Sequence, residues 1–183
     1  LYVFDTESGK RKEVGTWAFK DQTLDINTAE TNPGDATRGY RTPVWTGDNQ
    51  RFYVTRTSRD LHRVDICSYT IGQDTLVPVV EERLNTYIDV INILSPNQGK
   101  EIIHWSERDG WGHLYLYSED GKLKNRITKG PWHVEKIVRL DGKNRVVYFT
   151  ASGRQQGENP YYMHLYRCNL DGTGLKQLDE KNF

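Results

Sequence analysis

The sequence predicts an all-β chain: a β-propeller fragment of about three and a half blades of four-stranded antiparallel sheet. Three observations lead there. The first is the stretch Glu101 to Thr128, EIIHWSERDGWGHLYLYSEDGKLKNRIT, in which short apolar runs alternate with polar turns. Glu101–Ser106 and His113–Ser118 read as strands, and Leu123–Ile127 as a third after Asp120-Gly121, a dipeptide that favours a tight hairpin. The second is recurrence. His113-Leu114-Tyr115 is matched by His164-Leu165-Tyr166 and, less closely, by Arg63-Val64-Asp65, while the chain opens on Leu1-Tyr2-Val3. Counted from Leu1, Val64, Leu114 and Leu165, the intervals are 63, 50 and 51 residues, and periods near 40 to 50 with several strands each mark propellers. The third is composition, with eleven Tyr and five Trp against one Met, a balance that suits sheet. An antiparallel sandwich would show similar hairpins without the period.

Taken in order, Leu1–Asp5 and Arg11–Val14 form a hairpin around Thr6-Glu7-Ser8-Gly9, so 1–14 supplies the end of one blade. The stretch 15–39 breaks the rhythm with Asn32-Pro33-Gly34-Asp35 and reads as an elaborated inter-blade loop. A blade at 40–82 uses Tyr40–Thr46, Arg51–Arg56, Arg63–Tyr69 and Leu76–Val80. The next, 83–129, adds Thr86–Leu94 to the three strands described first. The last, 130–179, uses His133–Leu140, Arg145–Ala151, Met163–Asn169 and Leu175–Leu178. About fourteen strands result.

Charge excludes some partners. The 25 basic and 25 acidic side chains cancel, so no global field draws the chain to nucleic acid or an anionic membrane. No apolar run reaches the ~18 residues of a membrane span, and no leader pattern is present, so the chain reads as soluble. A start at Leu1, inside a strand and without Met, is expected of a piece of a longer protein. Cys67 and Cys168 fall two copies apart and read as small buried side chains rather than a disulfide.

In a four-stranded meander the second-to-third turns and the blade-to-blade links share one end. That end should carry 15–39, 57–62, 107–112 and 152–162, and varied loops on a scaffold are where binding resides. The candidate contacts there are Arg59, Asp60, Arg108, Asp109 and Trp111. Because the Arg-Asp pair recurs in TSRDLH and SERDGWGH, a structural brace is the favoured reading over a substrate contact. The catalytic search is empty: no serine sits in G-x-S-x-G, and the five histidines lack H-E-x-x-H spacing. No phosphate-cradling glycine pattern, catalytic set, metal site or cofactor is expected. His113 and His164 hold one place in two copies and read as a repeated structural element.

The runs SERDGWGHLYLYSEDGKLKNRITKGPWHVEKI, VVYFTASGRQQGENPYYMHLYRCNLDGTGLKQL and TRTSRDLHRVDICSY resemble the N-terminal propeller of the dipeptidyl peptidase IV family of serine peptidases. The resemblance covers roughly Tyr40 to Leu178. It implies an eight-bladed propeller followed by an α/β-hydrolase domain, absent from this chain, that carries the Ser, Asp and His of catalysis. The propeller would be non-catalytic, gating access for a peptide substrate and docking the hydrolase domain in an extracytoplasmic location such as a bacterial envelope. A glutamate pair in that family binds the substrate's free ammonium. Glu81-Glu82 is a candidate, but it follows Val79-Val80 at a strand end and precedes Arg83, so a solvated strand exit is favoured and the functional pair is expected upstream. Open blade edges would allow homo-association. A stand-alone propeller binding a protein or glycan through its loops is the alternative of a different class.

Overall fold

A computed structural model describes residues 1–30 and 41–179. They contain fifteen β-strands and one short 3-10 turn at Asn97–Gly99. All strand ladders are antiparallel, and the chain divides into two compact units, Leu1–Ile88 and Asp89–Phe183.

In the first unit, β1 (Tyr2–Phe4) and β2 (Arg11–Glu13) make the expected opening hairpin. The four-stranded sheet runs β3-β6-β7-β8, formed by Thr23–Ile26, Arg51–Thr57, Arg63–Thr70 and Val77–Arg83. Its first strand therefore lies inside the stretch expected to be an inter-blade loop. Thr23-Leu24-Asp25-Ile26 alternates polar and apolar residues and pairs with Thr57 to Val54. The expected first strand survives only as β5 (Arg41–Pro43), which pairs with β4 (Thr28–Glu30) in a separate two-stranded ladder. Beyond β5 the chain meets β6 at a single bridge, Trp45 to Phe52. The Asn32-Pro33-Gly34-Asp35 cluster lies outside the described residues.

This shift moves an elaboration. With β3 as first strand, the described residues 27–30 and 41–50 fall between first strand and second, at the end expected to carry plain turns, beside the Ile71 turn (Ile71 N to Gln50 O, 2.9 Å). The link 15–22 and the turn 58–62 keep the opposite end, as expected. Val14, Phe52, Val54, Cys67, Tyr69 and Leu76 form the core, with Leu1, Val3, Leu24 and Ile26 packed against them. The hairpin is tied to the sheet by Gly15 N to Asp74 O (2.7 Å), Leu76 N to Gly15 O (2.9 Å) and Lys12 Nζ to Gly72 O (2.7 Å).

The second unit holds β9 (Glu101–Ser106), β10 (His113–Ser118) and β11 (Leu123–Arg126), then β12 (His133–Asp141), β13 (Val146–Ser152), β14 (Met163–Asn169) and β15 (Lys176–Gln177). The sheets run β11-β10-β9 and β12-β13-β14-β15. Thr86–Leu94 does not form the expected strand; it meets β9 only where Leu94 and Ile103 exchange two backbone hydrogen bonds (3.1 and 2.7 Å). Asn97 and Gln98, both at positive φ, then turn the chain into β9.

The repeat is visible in the backbone bonds. Val14 N donates to Leu1 O (2.9 Å), Ile127 N to Leu114 O (2.8 Å) and Leu178 N to Leu165 O (2.8 Å). Three of the four aligned starts thus make the same closing bond.

Both faces of each blade need a neighbour, and in the second unit the two sheets supply it to one another. Ile103, Leu114, Leu116 and Ile127 share one buried cluster with Val147, Phe149, Tyr166 and Leu170. Polar stitches cross the same seam: Trp105 Nε1 to Val134 O (2.8 Å), Asn125 Nδ2 to Leu170 O (2.9 Å) and Val134 N to Gly112 O (2.8 Å). A Cβ on Gly112 would collide with the Trp105 and His133 rings, so only glycine allows this approach. Glu101, almost fully buried, takes Arg145 from the β12–β13 turn of the neighbouring sheet (Nη1 to Oε2, 2.7 Å) and Lys124 from its own sheet. Burial works to raise its pKa, but the two cations outweigh that and hold the carboxyl below the ordinary glutamate range.

Glu101→Gln should therefore lower stability by about 2 kcal/mol, less than the ~3–5 kcal/mol for a fully buried pair because Lys124 and Arg145 are half-exposed. Since the folded pKa is depressed, this contribution is present above the free glutamate value and is lost as pH falls through the folded one. Denaturant melts of both forms between pH 3 and 7 check this: the gap should narrow toward pH 3.

Candidate interaction surface

The described residues place the sequence-derived contacts on turns that serve mainly to hold the blades. Ser58 Oγ donates to Asp60 Oδ1, and the same oxygen accepts His62 N–H (3.2 Å), while Arg63 N donates to Ser58 Oγ (3.1 Å). These bonds hold the Asp60 carboxyl below its usual range. The same Ser/Thr-x-Asp arrangement closes turns at Thr46–Asp48 and Ser118–Asp120, so Asp60 is a turn brace. Arg59 is 81% exposed and lies 3.7 Å from Asp21.

Asp109 is one residue out of step. It stands three after Ser106, where Asp60 stands two after Ser58, and the brace cannot form in the same way. Its Oδ2 instead accepts the Tyr115 hydroxyl (2.6 Å) and Arg126 Nη1 (2.7 Å). The Tyr115 bond first, then Arg126, lowers the Asp109 pKa, while burial and Asp109 together push the Tyr115 phenol up. Arg108 bonds Ser106 Oγ through its backbone N–H and Nε (3.1 and 3.0 Å), and its guanidinium lies over the Tyr115 ring (4.8 Å). Trp111 is 44% exposed at the same turn.

A second group emerges from aligned positions that the sequence reading did not connect. Paired strand residues share a face, and three such pairs are equivalent in the repeat: Phe149 with Tyr166, His104 with Tyr115, and Arg56 with Asp65. In the last sheet the site is aromatic. Trp132 stacks on Phe149 and Tyr166 (centroids 6.2 and 6.3 Å) and takes the His113 ring edge-on (4.9 Å). Gly130, at φ +133, leads into it, and a Cβ there would strike the indole.

In the first unit the same site is charged. Phe19 replaces the indole, ringed by the guanidiniums of Arg63 (4.6 Å), Arg56 (5.3 Å) and Arg83 (5.3 Å). Asp65, 1% exposed, accepts Arg56 Nη2 (2.6 Å) and Nε (3.0 Å) at one oxygen and pairs with Arg83 Nη2 (2.6 Å) at the other. Arg56 Nη1 also donates to Thr16 O (3.0 Å), so this cluster fastens the link 15–22 over the sheet end. Above it, Lys20, Asp21, Arg59, Asp60 and Arg63 line an open cleft of about 400 Å³. The sequence signal was available as a position match between Phe19 and Trp132 after Val14 and Ile127, but the residue types differ too much for a pattern search to find it.

Glu81 and Glu82 are not a strand exit. After a bulge at Ile66/Cys67 the β7–β8 ladder continues through Asp65–Glu81, Val64–Glu82 and Arg63–Arg83. Neighbours in a strand point to opposite faces: Glu81 is exposed and bonds Arg83 (2.7 Å), and Glu82 is buried. The two carboxylates do not converge on one ammonium. Cys67 and Cys168 are both free and buried, as expected, and burial pushes each thiol up to about 11.

Blades of antiparallel sheet with polar, looped ends define the chain as a propeller-type domain. The comparison with known proteins gives the particular family. A family model described as the dipeptidyl peptidase IV N-terminal region matches residues 1–182, and the chain belongs to that family. It is 39% identical over 80 residues to dipeptidyl peptidase 4 of Arthroderma otae, covering 40% of this chain and 10% of that protein. To dipeptidyl peptidase 4 of Trichophyton equinum it is 34% identical over 98 residues, covering 50% and 13%. Its fold matches the crystal structure of Porphyromonas gingivalis dipeptidyl peptidase 4 with a TM-score of 0.76 at 19% identity, over 97% of this chain and 22% of that one. The matched stretches thus span a small part of each relative.

Asp65→Asn should cost about 3–5 kcal/mol, because Arg56 keeps its buried charge and loses its counter-ion. Asp60→Asn, which only weakens an exposed turn, should cost far less. Urea unfolding of the two variants checks the ranking.

Proposed function

We propose that this chain is a non-catalytic propeller segment of a dipeptidyl peptidase IV-like serine exopeptidase, which releases dipeptides from peptide N-termini. The family match over residues 1–182 carries the reading. Its task is to form part of the chamber wall through which a peptide substrate passes, and to seat the α/β-hydrolase domain of the same polypeptide. The built features suit a wall: Glu101, Asp65 and the Trp132 stack consume their polar and aromatic groups in holding sheets and links together. No three His, Cys, Asp or Glu side chains gather into a metal site among the described residues. An extracytoplasmic location, as in a bacterial envelope, and association of copies through open blade edges are part of the same proposal.

The test is cleavage of a Gly-Pro chromogenic amide by the 183-residue chain beside the full-length gene product. Activity is expected in the full-length protein alone. Hydrolysis by the isolated chain would overturn the non-catalytic assignment, and inactivity of both would favour a propeller that binds a protein or glycan through its exposed loops.

A further inference from the structure

The His-Leu-Tyr repeat places two histidines in one structural position and gives them opposite surroundings. In the sheet β9–β11, His113 Nδ1 meets Thr128 Oγ1 (3.1 Å) and Nε2 meets Gly130 O (2.9 Å), while Leu114 N donates to the same threonine oxygen (2.9 Å). In the last sheet, His164 Nδ1 meets Asp179 Oδ2 (3.2 Å), and Leu165 N donates to that carboxylate (3.0 Å). Asp179 thus stands where Thr128 stands. The second nitrogen differs as well: His164 Nε2 lies 2.8 Å from Glu158 Oε2, so a carboxylate replaces a backbone carbonyl.

The consequence follows from counting protons. Neutral imidazole has one N–H, and imidazolium has two. His113 is satisfied when neutral, with Nε2–H donating to Gly130 O and Nδ1 accepting the Thr128 hydroxyl. His164, 3% exposed between two carboxylates, can donate to both of them only when protonated; the neutral ring keeps one donor and accepts the Gln177 amide at Nδ1. The titration directions agree with the geometry. Burial lowers the pKa of His113. At His164 burial also works downward, but the bond to Glu158 and the charges of Asp179 and Glu158 outweigh it and the net shift is upward.

We propose that His164 is a proton-operated clasp that closes the loop 153–162 and residues 178–179, just after β15, onto the end of the last blade. Glu158 comes from that loop and Asp179 from beyond β15; Gln177 of β15 (Nε2 to His164 Nδ1, 3.1 Å) and Ala151 of β13 face the ring without charge. At its start the loop is attached by Arg154, stacked 5.3 Å from the Tyr166 ring, and by Gln155, bonded to Gln177. Glu158 is the contact that holds its middle. The next residues bond locally, Tyr161 N to Asn159 Oδ1 (3.0 Å) and Tyr162 N to Asn159 O (3.0 Å), and Tyr161 is 86% exposed. Loss of the proton removes both ion pairs and leaves a neutral ring whose Nδ1 accepts the Gln177 amide, so Glu158 is held by one uncharged donor at most. Because the folded pKa is raised, the clasp is fully closed below the free histidine value of roughly 6.5 and opens as pH rises through the folded value. The loop stands at the end that also carries the turn 107–112, so opening changes the surface offered to a ligand there.

The test is amide protection of residues 156–162 in the full-length gene product between pH 6 and 9, as protection factors free of the chemical pH dependence of exchange. Protection should fall in the wild type by about tenfold per unit by which the folded pKa exceeds the free one. It should be flat in Glu158→Gln and in His164→Gln. The pair Asp179→Thr with Glu158→Gln, which recreates the His113 surroundings, should also be flat, and serves if His164→Gln does not fold. Protection that is flat in the wild type, or pH dependence that persists in Glu158→Gln, overturns the proposal.

Discussion

The seam between the two sheets of the second unit is the interaction on which that unit depends. Each sheet is three or four strands wide, too narrow to bury its own faces, and a strand pair alone is marginal in water. The faces therefore close on each other, through Ile103, Leu114 and Ile127 on one side and Val147, Phe149 and Tyr166 on the other. Burying such side chains is worth about 1.5–3 kcal/mol each, without direction. Direction comes from the polar stitches, above all Glu101 bonded to Arg145 across the seam and Trp105 donating to Val134 O. A slip of one residue would turn Ile103 and Trp105 away from the seam and carry Glu101 away from Arg145.

The repeat conserves backbone geometry and varies chemistry. The closing bonds from Val14, Ile127 and Leu178 recur, yet the equivalent packing site is an aromatic stack around Trp132 in one blade and a ring of arginines around Phe19 in another. Both solutions hold a link over a blade end. The aromatic one relies on area and stacking, while the charged one relies on Asp65 neutralising the Arg56 guanidinium, which could not otherwise be buried. His113 and His164 show the same divergence at a smaller scale, one ring among neutral oxygens and the other between carboxylates.

Much of the fold was legible because period and turn chemistry are local. The runs around His113, Met163 and Arg63 and the Asp-Gly turns marked β6, β7, β9, β10, β13 and β14 to within a residue or two. The misplaced first strands share a cause. Thr23–Ile26 is four residues with one charge, and the longer run after Tyr40 outweighed it; Thr86–Leu94 has strand-forming residues but meets a partner only at Leu94. In both cases pairing, rather than propensity, decided. The Arg-Asp repeat was legible as a brace at Asp60 and misleading at Asp109, where one inserted residue re-aimed the carboxylate toward Tyr115 and Arg126.

The sequence by itself determined the inner strands of the sheets and most of their turns, since alternation, glycine positions and a period near 50 residues act over short distances along the chain. Tertiary structure alone decided which oxygen faces His164, which cations reach Glu101 and Asp65, and that Glu81 and Glu82 turn away from each other. Those contacts join residues up to 44 positions apart, through registers and a bulge that leave no mark on local composition, and the charge state of a buried group depends on them.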